Sequence, residues 1–127
     1  MMYYMRMAKR RQDEHGELVK GNTPTLLLAV LLDGPLHGYA LAREIERRSK
    51  DALQLGEGSL YPTLRTLEHD GFVTSRWETQ PSGPARKVYE LTEEGRKELV
   101  QRTRTWRQFA EAVENVLGGI GHAQQPT

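Results

Sequence analysis

The sequence predicts a mainly α fold with one small β-hairpin, in the order helix, helix, helix, hairpin, helix. Three observations predict it. Apolar residues recur at helical spacing in three successive stretches. The turn-rich segment QPSGPA then separates two short runs rich in aromatic and β-branched residues. A last stretch, opening at Thr92, carries a heptad-like apolar stripe.

Residues 1–23 are polar, basic at Arg6, Lys9, Arg10 and Arg11, and without apolar periodicity, so a flexible basic arm is expected there. Thr23-Pro24 reads as a helix start, with Thr23 as cap and Pro24 in the first turn. That helix runs to about Leu32 and is apolar nearly all round, which predicts burial. Asp33-Gly34-Pro35 stops it. A second helix is expected over Gly38–Ser49, with Leu41, Ala42 and Ile45 inward and Arg43, Glu44, Glu46 and Arg47 outward. A third is expected over Ser59–Asp70. Leu60, Leu64 and Leu67 form its inner stripe, and Gly71 is placed as a left-handed cap.

Phe72–Thr79 and Arg86–Leu91 read as the two strands of a hairpin, with Tyr89 and Leu91 on one face and Val88 on the other. Thr92 is suited to cap the last helix, and Glu93 and Glu94 suit its positive first turn. That helix is expected to end near residue 117, and the small, polar GGIGHAQQPT over 118–127 to be a disordered tail. Three helices followed by a two-stranded wing make a winged helix-turn-helix domain, here over residues 24–91, with a separate C-terminal helix over 92–117.

Composition narrows the function. Hydrophobic residues are 37% and charged residues 28% of 127, the balance of a globular domain. The formal net charge of +1 points to no partner, so only the placement of charge is informative. With no cysteine, a disulfide framework, the usual zinc fingers and thiol catalysis are excluded, which fits a cytoplasmic setting. No apolar run approaches the roughly 20 residues of a membrane span, and the start lacks the apolar core of a signal peptide. The four histidines are scattered without metal-ligand spacing, and no phosphate-cradling loop or nucleophile constellation is present. No enzyme, metal or cofactor is therefore expected.

The third helix is the most informative element. With its leucines inward, Pro62, Arg65 and His69 fall on the opposite side, flanked by Ser59, Tyr61 and Thr66. An arginine that can reach guanine in a bidentate pair, next to hydroxyls that can hold phosphates, suits the DNA major groove. Pro62, expected in the first turn, costs little there. A solvated helix face would also accommodate these residues. The hairpin adds weight: Ser82 and Gly83 lie at its tip, bracketed by Arg76, Arg86 and Lys87, where small residues allow close approach and the cations neutralise phosphate.

Three blocks, GPLHGYALAREIERRS from Gly34, GEGSLYPTLRTLEHDGFV from Gly56 and ARKVYELTEEGRKEL from Ala85, resemble the PadR family of transcriptional regulators. The resemblance covers about Pro24 to Leu117 and is closest to its short members, which end after one C-terminal helix. It implies a winged-helix dimer that represses a nearby operon and releases DNA when a ligand binds. It places DNA contacts on Tyr39, Ser59, Tyr61, Pro62 and Arg65, and on the wing around Ser82, Gly83, Arg86 and Lys87. Tyr61 has a competing role as a packing residue, and His37 is either a phosphate contact or a residue that stabilises its turn. The alternative function is a winged helix that binds protein and has no DNA target of its own.

The last helix carries Leu99, Trp106 and Val113 seven apart, with Phe109 and Val116 between them, interrupted by Arg102. Such a stripe needs cover from the first helix, from a second copy, or from both. The resemblance implies that it forms the dimer interface. Trp106 and Phe109, doubled by a twofold axis, would make either a packed interface or a flat slot for a planar aromatic effector, with Arg102 and Arg107 near an anionic one.

Overall fold

The computed structural model describes residues 18–124. Within them, helix α1 covers residues 18–31. Strand β1 (Leu36–His37), helices α2 (Gly38–Arg48) and α3 (Glu57–His69), strands β2 (Val73–Glu78) and β3 (Arg86–Leu91), and helix α4 (Glu93–Gln124) follow. The mainly helical winged helix-turn-helix class read from the sequence is the observed one.

The leucines at helical spacing build the core. Leu27, Leu28 and Leu31 of α1, Leu41 and Ile45 of α2, and Leu60, Leu64 and Leu67 of α3 are all buried together with Val73, Tyr89 and Leu91 of the hairpin. This burial decides whether α3 forms. Thirteen residues make a marginal helix alone, and Pro62 lies in its interior, which costs roughly 3 kcal/mol. Three fully buried leucines, at about 1.5–3 kcal/mol each, outweigh that. Pro62 is not in the first turn, as the sequence suggested, because α3 starts earlier, with Gly56 as N-cap. The proline therefore leaves the carbonyl of Gly58 without its ladder donor.

α1 starts earlier than Thr23. Val19 and Thr23 are buried, and the Thr23 hydroxyl donates to the Val19 carbonyl at 2.7 Å, as a residue inside a helix does. The arm expected to reach residue 23 is thus helical over 18–23. The overlooked signal is the spacing Val19, Thr23, Leu27 along one face. Arg6, Lys9, Arg10 and Arg11 lie outside the described residues. At the other end, α4 runs on to Gln124, so residues 118–124 continue the helix where a disordered tail was expected.

The sheet has order β1-β3-β2, all antiparallel. The two-residue β1, absent from the sequence reading, pairs Leu36 with Tyr89 and His37 with Val88. Across β2 and β3, Val73 faces Leu91, Ser75 faces Tyr89 and Trp77 faces Lys87. Directly opposed residues share a sheet face, so Tyr89 and Leu91 lie on one side and Val88 on the other. Val88 is buried as well.

The joints between elements are closely hydrogen-bonded. After α3, Gly71 (φ +83°) donates to Glu68 and Phe72 donates to Leu67, a Schellman cap. Thr92 caps α4 by accepting from Gly95 N at 3.0 Å, while its hydroxyl donates to the Gly71 carbonyl at 2.7 Å. Gly95 sits so close to Phe72 that an added Cβ would lie 2.1 Å from the carbonyl oxygen. The turn after α2 carries Lys50 (φ 54°) and Asp51 (φ 65°) in the left-handed region. It is closed by Asp51 N donating to Glu46 and by Ser49 Oγ accepting from Leu53 N at 3.0 Å.

Candidate nucleic-acid interface

α3 presents its outer face to solvent: Tyr61, Pro62, Arg65 and Thr66 are exposed and Ser59 is half-buried. The hairpin rises beside it. Glu68, on the flank of α3 that turns toward the wing, bonds the Ser75 hydroxyl of β2 and lies 4.0 Å from Lys87 Nζ of β3. One carboxylate thus fixes the wing to the helix from both strands. Between them opens a groove of about 800 Å³ lined by Tyr39, Tyr61, Arg65, Trp77, Arg86 and Lys87, floored by His37, Gly38 and Tyr89.

Five of the residues singled out from the sequence, Tyr39, Tyr61, Arg65, Arg86 and Lys87, meet in this groove. Ser59, Pro62 and Thr66 lie on the same helix outside its lining. Ser82 and Gly83 (φ +87°) stand exposed beyond it at the wing tip. The Thr66 hydroxyl donates back to the Pro62 carbonyl at 3.1 Å, which leaves it an acceptor lone pair and a weaker case for phosphate.

The ambiguous residues resolve locally. Tyr61 packs against α2: a Cβ on Gly38 would lie 2.8 Å from its ring. Gly38 is therefore the residue that lets α3 approach the start of α2. Tyr61 is still 38% exposed and lines the groove. His37 is the N-cap of α2, its Nδ1 facing Ala40 N. Tyr39 is 60% exposed. Its hydroxyl accepts from Arg43 at 2.8 Å, and that guanidinium lies 5.5 Å from the ring centroid.

The charged members of the lining are all cationic. Lys87 is held between Glu68 and two rings, with Nζ 5.9 Å from the centroids of both Trp77 and Tyr89. Burial pushes the Tyr89 phenol up, and the Glu68 carboxylate adds to it. Trp77 escaped the sequence reading. The signal for it was the alternation Val73, Ser75, Trp77, which continues the core face of β2 past the end of the core.

On α4, the stripe divides. Leu99 is buried in the chain's own core, so this expected interface residue already has its cover. Trp106, Phe109 and Val116 are half or more exposed and Val113 is half-buried. A second cavity, of about 420 Å³, lies between α1 and α4, lined by Leu18, Leu26, Leu53, Trp106 and Arg107 among others. Phe109 does not line it. Among the described residues no group of three or more His, Asp or Glu could hold a metal, and no helix is long and apolar enough to cross a membrane.

A helix-turn-helix braced by a three-stranded wing, with a cationic groove between them, defines the winged-helix class of transcriptional regulators. The chain belongs to the Transcriptional regulator PadR-like family, whose model matches residues 27–101. The family's members are regulators, not enzymes. Among its relatives, the Transcriptional regulator Rv3488 of Mycobacterium tuberculosis is 38% identical over 90 residues, covering 71% of this chain and 78% of the relative. The Negative transcriptional regulator PadR of Bacillus subtilis is 30% identical over 73 residues, covering 58% of this chain and 40% of the longer relative. Among solved structures, a PadR family transcriptional regulator from Eggerthella lenta superposes with TM-score 0.74 at 28% identity, over 92% of this chain and 97% of that one.

Proposed function

We propose that the chain is a DNA-binding repressor of a nearby operon that acts as a homodimer on a pseudo-palindromic operator and responds to a small ligand. One observation carries the DNA reading: Arg65 from α3 and Arg86 and Lys87 from the wing converge with Tyr39 and Tyr61 on one groove. Arg65 is the base reader and the wing cations are phosphate contacts. Ser59, Pro62, Thr66, Ser82 and Gly83 flank them as secondary contacts. The printed name of the Bacillus subtilis relative, a negative regulator, supports repression.

The dimer reading rests on Trp106, Phe109, Val113 and Val116, which leave an apolar stripe open along α4. A twofold dimer sets its recognition helices about 34–36 Å apart, one turn of DNA. The effector is a planar aromatic compound stacked on Trp106, beside Arg107 in the cavity between α1 and α4. A regulator of this kind works in the cytoplasm and needs no cofactor and no membrane.

The test is a mobility shift on duplexes selected from a random pool. Arg65→Ala is expected to weaken specific binding by about 1–3 kcal/mol and to relax preference at one base pair per half-site. Replacing Arg86 and Lys87 by Ala is expected to make the dependence of log K on log salt shallower by about one unit per lost contact. No salt-sensitive, sequence-dependent shift would leave a protein-binding winged helix as the function. For the effector, planar aromatic compounds should quench Trp106 in a Trp77→Phe background.

A further inference from the structure

We propose that Trp77 is a DNA contact of the wing, an uncharged platform that packs against the deoxyribose face of the backbone bordering the groove read by α3. The inference rests on the DNA reading above and adds a residue and a mode of contact to it. Trp77 is 69% exposed, an unusual state for an indole on the inner face of a sheet. The register explains its position. Val73 and Ser75, on the same face of β2, are covered by the core and by Glu68 of α3, and Trp77 is the next residue along, beyond the helix. Its ring therefore forms the outer wall of the groove that Arg65 lines from the opposite side.

Two features identify the occupant. The charged residues that share the groove, Arg65, Arg86 and Lys87, are all cationic, so the partner is a polyanion. The ring is also flanked by a cation, because Lys87, its cross-strand partner, places Nζ 5.9 Å from its centroid while reaching toward Glu68. A duplex seated on α3 presents to this wall alternating phosphates and sugars. The cations take the phosphates, and a flat apolar ring takes the sugar. The contact carries no sequence information, so Trp77 contributes affinity equally on any duplex.

The experiment uses the full chain and random-sequence duplex DNA at low salt. Trp77→Ala should lower affinity about tenfold, equivalent to about 1.4 kcal/mol, with the salt slope unchanged, because no charge is removed. Trp77→Phe should recover most of the loss. In a Trp106→Phe background, where Trp77 is the single remaining tryptophan, duplex addition should shift its emission, and added salt should reverse the shift. Trp77→Ala binding as tightly as the parent chain, while Arg65→Ala and Arg86→Ala lose affinity, would overturn this inference and leave the DNA reading intact. No binding of duplex by the parent chain would overturn both.

Discussion

Nε2 of His37 stands 3.3 Å from Nη1 of Arg86, which links the N-cap of α2 to the base of the wing. The pair is mismatched. A guanidinium only donates, so a hydrogen bond here needs Nε2 as acceptor, while Nδ1 accepts from the Ala40 N–H at 3.4 Å as the cap. A neutral imidazole carries a proton on one of its nitrogens and cannot accept on both, so the cap of α2 and the contact to Arg86 compete for the ring. Replacing His37 with Asn, a better cap without the second nitrogen, should hold or raise stability. His37→Ala should cost about 0.5–1 kcal/mol in urea denaturation, and neither change should weaken DNA binding more than a few-fold.

Gly95 is the most sensitive glycine in the described chain. A methyl group there meets the Phe72 carbonyl oxygen at 2.1 Å and Leu91 Cδ1 at 2.8 Å. Gly95→Ala should destabilise by about 3 kcal/mol, seen as a lower urea midpoint with unchanged slope. Gly118→Ala, in the same helix with nothing within 4 Å, should be neutral or stabilising by up to about 1 kcal/mol. Equal effects at the two positions would contradict the packing described.

The turn between α2 and α3 stores removable strain. Lys50 and Asp51 both occupy the left-handed region, where a side chain costs roughly 1–2 kcal/mol. Part of that cost returns as backbone entropy when glycine is substituted. Lys50→Gly and Asp51→Gly should each raise the melting temperature, by about 0.5–1 kcal/mol of stability. A fall in both would mean that the two side chains make contacts worth more than the strain.

Glu44 accepts hydrogen bonds from Arg47 and Arg48, and those guanidinium groups lower its pKa to about 2. The sign follows from linkage. A depressed carboxylate stabilises the fold above its ordinary range, and this contribution is lost as pH falls through about 2. A carboxyl-detected NMR titration should therefore show Glu44 ionised throughout the ordinary carboxylate range. Glu44→Gln should remove the difference in acid stability between pH 5 and pH 2 that this residue supplies. Normal titration of Glu44 would show that the arginines point elsewhere in solution.

Leu99 and Phe109 both belong to the apolar stripe of α4 but should fail differently. Leu99 is 8% exposed within the core and Phe109 67% exposed. Leu99→Ala should cost about 2–4 kcal/mol of fold stability. Phe109→Ala should leave the isolated chain's fold intact and weaken self-association, read by sedimentation. A monomer at micromolar concentration in the parent chain would remove α4 as a dimer element.

Most of the fold was legible because each helix repeats leucine at the spacing of its own core face, and because Gly71 and Thr92 mark their joints chemically. Four groove residues were legible for a related reason: subtracting the leucine stripe of α3 leaves Arg65 facing out with Tyr61 beside it, and a hairpin tip flanked by Arg86 and Lys87 has few other uses, whereas Tyr39 came from the family resemblance alone. What escaped depended on partners distant in sequence. β1 is two residues long, and no local pattern marks it before β3 is in place. Leu99 looks like the other seam residues until the core of the same chain is seen to reach it. Pro62 was misplaced because Gly56 caps α3 without a side chain, leaving no polar residue to announce the start. The extension of α1 depended on Leu18 and Val19, a short apolar pair in an otherwise polar stretch.

The short β1 has a mechanical consequence. By pairing Leu36 and His37 to β3, it joins the start of α2 to the wing, while Glu68 ties α3 to β2 and β3 and Thr92 clamps α4 to the turn behind α3. Among the described residues each of these joints is tied by a hydrogen bond, ion pair or strand pairing. A twist applied at the far end of α4 is therefore expected to reach α3 as rotation of the whole winged domain. Compliance is left to the length of α4 beyond Leu99, the stretch where Trp106 and Phe109 are exposed.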